Sequence, residues 1–210
     1  MKNLTKTNDM FSNCSFIKKL DFSKFNSDYV CNMCSMLYGC KNLEEVNLSS
    51  FNTENVANMS YMFFNCESLK FIDFSNFNTK NVVDMSSFIS GCKSLTKVDF
   101  SNFDIKNVQD LSWMFFNCNS LTLINLSNFY TDNVIYMETM FNGLNFDNAD
   151  LKIYSDDNKI LTQIIKYPIV RKNIFFILSN FYIEYLSTIN LYLETIEYYY
   201  INEHLAKFKK

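Results

Sequence analysis

The sequence predicts an α/β repeat solenoid, and three observations predict it. Phe25, Phe51, Phe77, Phe103 and Phe129 recur every 26 residues, and Cys14, Cys40, Cys66, Cys92 and Cys118 keep the same interval. Apolar columns hold that register: Val30/Val56/Val82/Val108/Val134, Met33/Met59/Met85/Leu111/Met137, Leu43/Leu69/Leu95/Leu121, Val46/Ile72/Val98/Ile124 and Leu48/Phe74/Phe100/Leu126. Each unit also carries two internal spacings, one helical and one strand-like. A fixed period of this length marks stacked supersecondary units, none of which can bury its apolar side alone.

Within a unit, Val56, Met59, Met62, Phe63 and Cys66 fall at steps of three and four, the spacing of one helical face. Thr53 or Asn55 stands just ahead, where a short polar side chain caps the first turn. After the cysteine comes Leu69-x-x-Ile72-x-Phe74, whose last pair alternates as a short strand does. Each unit is therefore expected to be a short helix or helical turn followed by a short parallel strand. The strands line one face of a curved stack and the helical segments the other. At the corners, the columns Asn3/Asn55/Asn81/Asn107/Asn133 and Ser23/Ser49/Ser75/Ser101/Ser127 are suited to satisfying backbone groups.

The repeats occupy residues 1–144, with a truncated first copy and then units starting at Phe25, Phe51, Phe77, Phe103 and Phe129. Met1 stands inside a repeat: Asn3-Leu4 matches Asn55-Val56, and Met10-Phe11-Ser12-Asn13-Cys14 matches Met62 to Cys66. The beat stops near Gly143. Residues 145–167 are read as a closing strand and cap, and 168–210 as a Tyr/Ile-rich helical tail or a degenerate extension. Eight of the 13 tyrosines lie beyond residue 150. Ile174-Phe175-Phe176-Ile177-Leu178 is too short to span a bilayer, and Glu184 interrupts its extension.

The Leu-x-x-Ile-x-Phe-Ser block resembles a leucine-rich-repeat signature. The fuller string from Asn55-Val56 through Met59-Ser60-x-Met62-Phe63 and Cys66 to Asp73-Phe74-Ser75-Asn76-Phe77 resembles the BspA-type leucine-rich repeats of bacterial surface proteins. That group, common in mycoplasmas and gut anaerobes, was once catalogued as a domain of unknown function. Asp150-Leu151-Lys152-Ile153-Tyr154 resembles the strand that closes such arrays. The resemblance implies a leucine-rich-repeat fold, display at the cell surface or secretion, and adhesion to host or bacterial proteins. It carries no defined site residues. No secretory signal opens the sequence, so the chain reads as a fragment of a longer surface protein or as a short intracellular relative.

Composition narrows the chemistry. The chain has 210 residues and a formal net charge of −3. It shows no basic tract of the kind nucleic acid requires. Three glycines and one proline leave no flexible linker and no phosphate-cradling loop. The abundance of Asn, Lys, Ile, Tyr and Phe fits an AT-rich bacterial genome. The single histidine, His204, lies near the C-terminal end and no serine or cysteine nucleophile can be paired with a base from the sequence, so neither an enzyme nor a cofactor is expected. The cysteine column is expected to hold buried free thiols rather than a bridged ladder. Cys31-x-x-Cys34 lacks the second pair or histidine of a zinc site, and is read as spare thiols.

The expected function is non-enzymatic protein binding through the strand face. Its outward column, Lys19, Glu45, Phe71, Lys97 and Leu123, varies from unit to unit while the scaffold stays constant. The neighbouring column, Asp21, Asn47, Asp73, Asp99 and Asn125, completes that candidate face. It is read as supporting stacking or facing solvent rather than binding calcium. Phe71 and Leu123 are the expected apolar anchors. Open ends would also let copies stack end to end. The alternative is a truncated, vestigial fragment with a structural role and no ligand.

Overall fold

The computed structural model describes residues 4–148 and 150–165. The chain divides into two units, Met1–Ile177 and Leu178–Lys210, and every described residue lies in the first. The expected tail at 168–210, with His204, and Asn3 of the corner column lie outside the described residues.

On one side run five short strands: β1 (Lys19–Asp21), β2 (Glu45–Asn47), β3 (Lys97–Asp99), β4 (Leu123–Leu126) and β5 (Lys152–Ser155). Every pairing is parallel. β1 meets β2 with Leu20 opposite Val46, and β3 meets β4 with Val98 opposite Ile124, both at the 26-residue step. β5 adds to β4 with Ile153 opposite Ile124. A second parallel ladder links Lys6, Asn32, Asn58, Asp84, Asp110 and Tyr136, again one repeat apart. The sequence period is therefore also the stacking step, and each repeat forms one rung.

The segment expected to be helical is built differently. In rung 33–40 the odd residues donate across to the next rung: Met33 to Asn58 O (2.9 Å), Ser35 to Ser60 O (2.9 Å), Leu37 to Met62 O (2.9 Å) and Gly39 to Phe64 O (2.7 Å). Even residues close tight turns, Met36 to Met33 O (3.2 Å), Tyr38 to Ser35 O (3.1 Å) and Cys40 to Leu37 O (3.2 Å). Half the amides a helix would use are committed sideways. The backbone also turns left-handed twice per rung, as at Tyr61 (φ 58°) and Asn65 (φ 55°), which ends any right-handed helix. The apolar three-four spacing survives because successive turns still bring Val56, Met59, Met62, Phe63 and Cys66 inward, each wholly buried.

The second left-handed position holds Asn13, Gly39, Asn65, Gly91, Asn117 and Gly143 in alternation. A Cβ placed on Gly91 would overlap Asn65 Oδ1, and the same holds for Gly39 over Asn13 and Gly143 over Asn117. Asparagine and glycine are the residues that tolerate this conformation. Each asparagine side chain occupies space that the next rung's glycine leaves.

Side-chain amides stitch the corners. Asn55, Asn81, Asn107 and Asn133 each donate to the preceding rung, at Asp28 O (2.8 Å), Glu54 O (2.7 Å), Lys80 O (2.6 Å) and Lys106 O (2.7 Å). The core between the two faces is the set of columns read from the sequence, with the phenylalanines interlocked ring to ring. At the far end sits α1 (Asn158–Ile165), the only α-helix among the described residues. Asp157 Oδ1 accepts from the Ile160 amide (2.9 Å) and from Thr131 Oγ1 (2.8 Å), while its Oδ2 accepts from the Thr131 amide (2.8 Å). The same carboxylate thus caps the helix and continues by one rung the Ser27/Thr53/Thr79/Thr131 column, which Ile105 interrupts.

Candidate functional site

The strand face is not continuous. Between β2 and β3 lies the rung Phe71-Ile72-Asp73-Phe74, which forms no strand. Elsewhere the ladder is closed: the Phe22 amide donates to Asn47 O (3.0 Å) and the Phe100 amide to Asn125 O (2.9 Å). Among the described residues, the backbone amides of Phe71, Ile72, Asp73 and Phe74 make no such bond. The rungs rejoin on both sides of the opening. Ser94 donates to Glu67 O (3.1 Å), and Asn102 Nδ2 to Phe74 O (3.0 Å).

The opening is a cleft of about 400 Å³. Phe71, Lys97 and Leu123 stand at its mouth; Ile72, Phe74 and Val98 line its inner wall. A smaller crevice of about 170 Å³ lies on the other side of the same rung, against Val46 and Asn47. Phe71 is 65% exposed, an unusual state for a phenylalanine, while Ile72 beside it is 3% exposed.

Aromatic rings crowd the opened rung. In the column Phe22/Leu48/Phe74/Phe100/Leu126, only Phe74 and Phe100 place two phenylalanines on adjacent rungs. Their rings stack at 5.2 Å, and Phe74 also meets Phe63, Phe77, Phe88 and Phe103. The opened rung is thus the place where two rings of this column stack directly on each other.

The ten residues singled out from the sequence do not share one role. Lys19 and Glu45 are bonded to each other at 2.9 Å, so they neutralise one another across β1 and β2. Lys97 stands opposite Leu123 and forms no ion pair among the described residues. Leu123 is half-buried. The second column acts in the corners: Asp21, Asn47, Asp73, Asp99 and Asn125 accept from the amides of Ser23, Ser49, Ser75, Ser101 and Ser127 at 2.9–3.1 Å. Asn47 also donates to Asp21, and Asn125 to Asp99. Asp73 has no such cross-rung partner among the described residues. The cleft therefore gathers Phe71, Lys97 and Leu123, with Asp73 and Asp99 on its rim, and leaves Lys19 and Glu45 outside.

Hydrogen bonds from the Ser75 amide and hydroxyl hold the Asp73 carboxyl below its ordinary range. Partial burial opposes the same effect at Asp99, but Ser101 and Asn125 outweigh it. Both rim groups are thus ionised at neutral pH. Sequence reading placed Ile72, Phe74 and Val98 in the core columns and missed that they wall a cleft. The signal available was the Phe74/Phe100 step.

The cysteines lie apart from this site. Cys40, Cys66, Cys92 and Cys118 are buried free thiols, each donating to a carbonyl of an earlier rung: Phe11, Leu37, Phe63 and Ile89, at 3.1–3.2 Å. Burial pushes the Cys40 thiol up to about 11 and the Cys118 thiol to about 12. Among the described residues, no group of three or more His, Cys, Asp or Glu side chains is placed to hold a metal ion. No helix among them is long and apolar enough to cross a membrane.

The described chain is a stack of 26-residue rungs with one opened rung on its strand face. A family model described as "Mycoplasma protein of unknown function, DUF285" matches residues 1–98 and again 68–162, and the chain belongs to that family. Overlapping matches are what an internally repeated sequence produces. Comparison with curated proteins finds no match, and comparison with solved structures finds none.

Proposed function

We propose that this chain is a non-enzymatic protein-interaction module: a BspA-type leucine-rich-repeat solenoid, displayed on a bacterial cell surface, that adheres to host or bacterial proteins through its strand face. The observation that carries the reading is the opened rung, where an exposed Phe71 stands beside an unpaired Lys97 over an apolar wall. Exposed aromatic side chains next to apolar recesses are the usual anchors of protein interfaces. The regular stack supports the same reading, since its columns are satisfied internally and its outward strand positions are free to vary.

The test is a solution binding screen of the full chain against extracellular-matrix and cell-surface proteins, after sizing and circular dichroism confirm a folded monomer. Saturable binding that weakens in Phe71→Ser and Lys97→Glu is the expected result. A folded monomer that binds none of them would favour a structural or vestigial role instead.

A further inference from the structure

Resting on that reading, we propose that the cleft takes a short extended segment of a partner polypeptide. An apolar side chain of the segment enters between Phe71 and Leu123, and a neighbouring carboxylate meets Lys97. Three features of the cleft select this ligand.

The first is its backbone. By the pattern of the closed rungs, where Phe22 and Phe100 donate to the following rung, the amides of Ile72 and Phe74 face the cleft, and they have no backbone partners among the described residues, whereas β2 and β3 are paired on their far edges. Unpaired strand edges bind extended polypeptide because its own amides and carbonyls repeat at the same spacing. The second is shape: about 400 Å³ bounded by Ile72, Phe74 and Val98 accommodates a side chain and adjoining backbone, not a folded domain. The third is charge. Lys97 is an uncompensated cation at the mouth, while Lys19 in the same column is already matched by Glu45. Asp73 and Asp99, one strand step further, are ionised and already receive the serine amides of the corners. They disfavour a carboxylate there and accept a donor. The site is therefore polar along the strand direction, with an anion preferred at the Lys97 end.

The experiment uses the full chain and two blocked hexapeptides, one with a central Phe next to a single Glu and its twin with Lys in place of that Glu. Binding is followed by amide chemical shifts. Perturbations at residues 71–74 and 97–99 are expected, with the Glu peptide binding roughly fivefold more tightly than its twin. Lys97→Glu should reverse that order. Phe74→Leu removes the stacked pair, so it should close the rung and abolish binding while the protein still melts cooperatively. Equal binding of both peptides, binding of neither, or shifts confined to other residues would overturn the proposal. So would self-association that disappears in Phe71→Ser, because the cleft would then belong to a second copy. Capture of a surface protein that ignores both the Phe71 and Lys97 changes would sink the cleft and leave the adhesive module standing. Charge-reversible peptide binding with no surface partner would do the opposite.

Discussion

Phe100 shows how much one side chain can carry in this stack. It is fully buried and contacts the rings of Phe74, Phe88, Phe103, Phe115 and Phe129. Phe100→Ala is expected to cost about 3–5 kcal/mol in a denaturant titration, since the surrounding rings cannot collapse into the cavity. The cysteine column makes a second prediction. Cys31 is exposed and should react with a maleimide in the native protein, whereas Cys66, Cys92 and Cys118 should react only after unfolding. Burial, reinforced at Cys40 by the neighbouring Cys14 thiol, raises these thiols above their ordinary 9.0. A raised value in the folded state leaves stability intact below pH 9.0 and removes it as pH climbs through the folded values near 11 and 12. The corner aspartates act in the other direction. Serine hydrogen bonds depress Asp21 and Asp73 below 3.8, so their contribution is present above that value and is lost as pH falls through the folded one. A melting series from about pH 4 down to about pH 2 should be flatter in the Asp21→Asn/Asp73→Asn double variant.

At the scale of an element, the turn segment and the opened strand each differ from their sequence expectation for a definable reason. Helical spacing was legible because the inward positions repeat at three and four; the missing helix was not, because amides shared between rungs leave no trace in hydrophobic periodicity. The alternation Asn65/Gly91/Asn117 was the available clue, since both residue types favour the left-handed conformation. Gly91→Ala should destabilise by about 1–3 kcal/mol, from left-handed strain and from overlap with Asn65. Combining it with Asn65→Gly should recover the overlap part alone, which a double-mutant cycle would resolve as a coupling between the two positions. The opened strand has its own signature. Amides of residues 71–74 should exchange with solvent far faster than those of Val98 and Ile124, and Phe74→Leu should slow them. Exchange at Ile72 as slow as at Val98 would show that the ladder is closed in solution.

Across the whole molecule, each rung contacts its neighbours through the same columns, so stability is expected to add up rung by rung. Removing residues 77–102, one full period, should leave a folded, shorter protein with lower stability. Removing 13 residues from the same place sets inward columns against outward ones and should abolish cooperative melting by circular dichroism. That difference tests the register of the stack itself.

The sequence by itself determined the period, the columns, the buried cysteines and the corner asparagines, because each is a side-chain preference repeated at a fixed step. It also pointed to Phe71 and Lys97 as neighbours on one face. Only the tertiary structure decided that Lys19 and Glu45 cancel one another, that the Asp21 to Asn125 column is occupied with corner turns, and that the ladder opens at Phe71. These outcomes depend on which groups meet across rungs: an ion pair spans two units, and the gap lies where two rings stack one period apart. A linear reading sees the residues of one rung; the separation between rungs is set by the packing of all of them together.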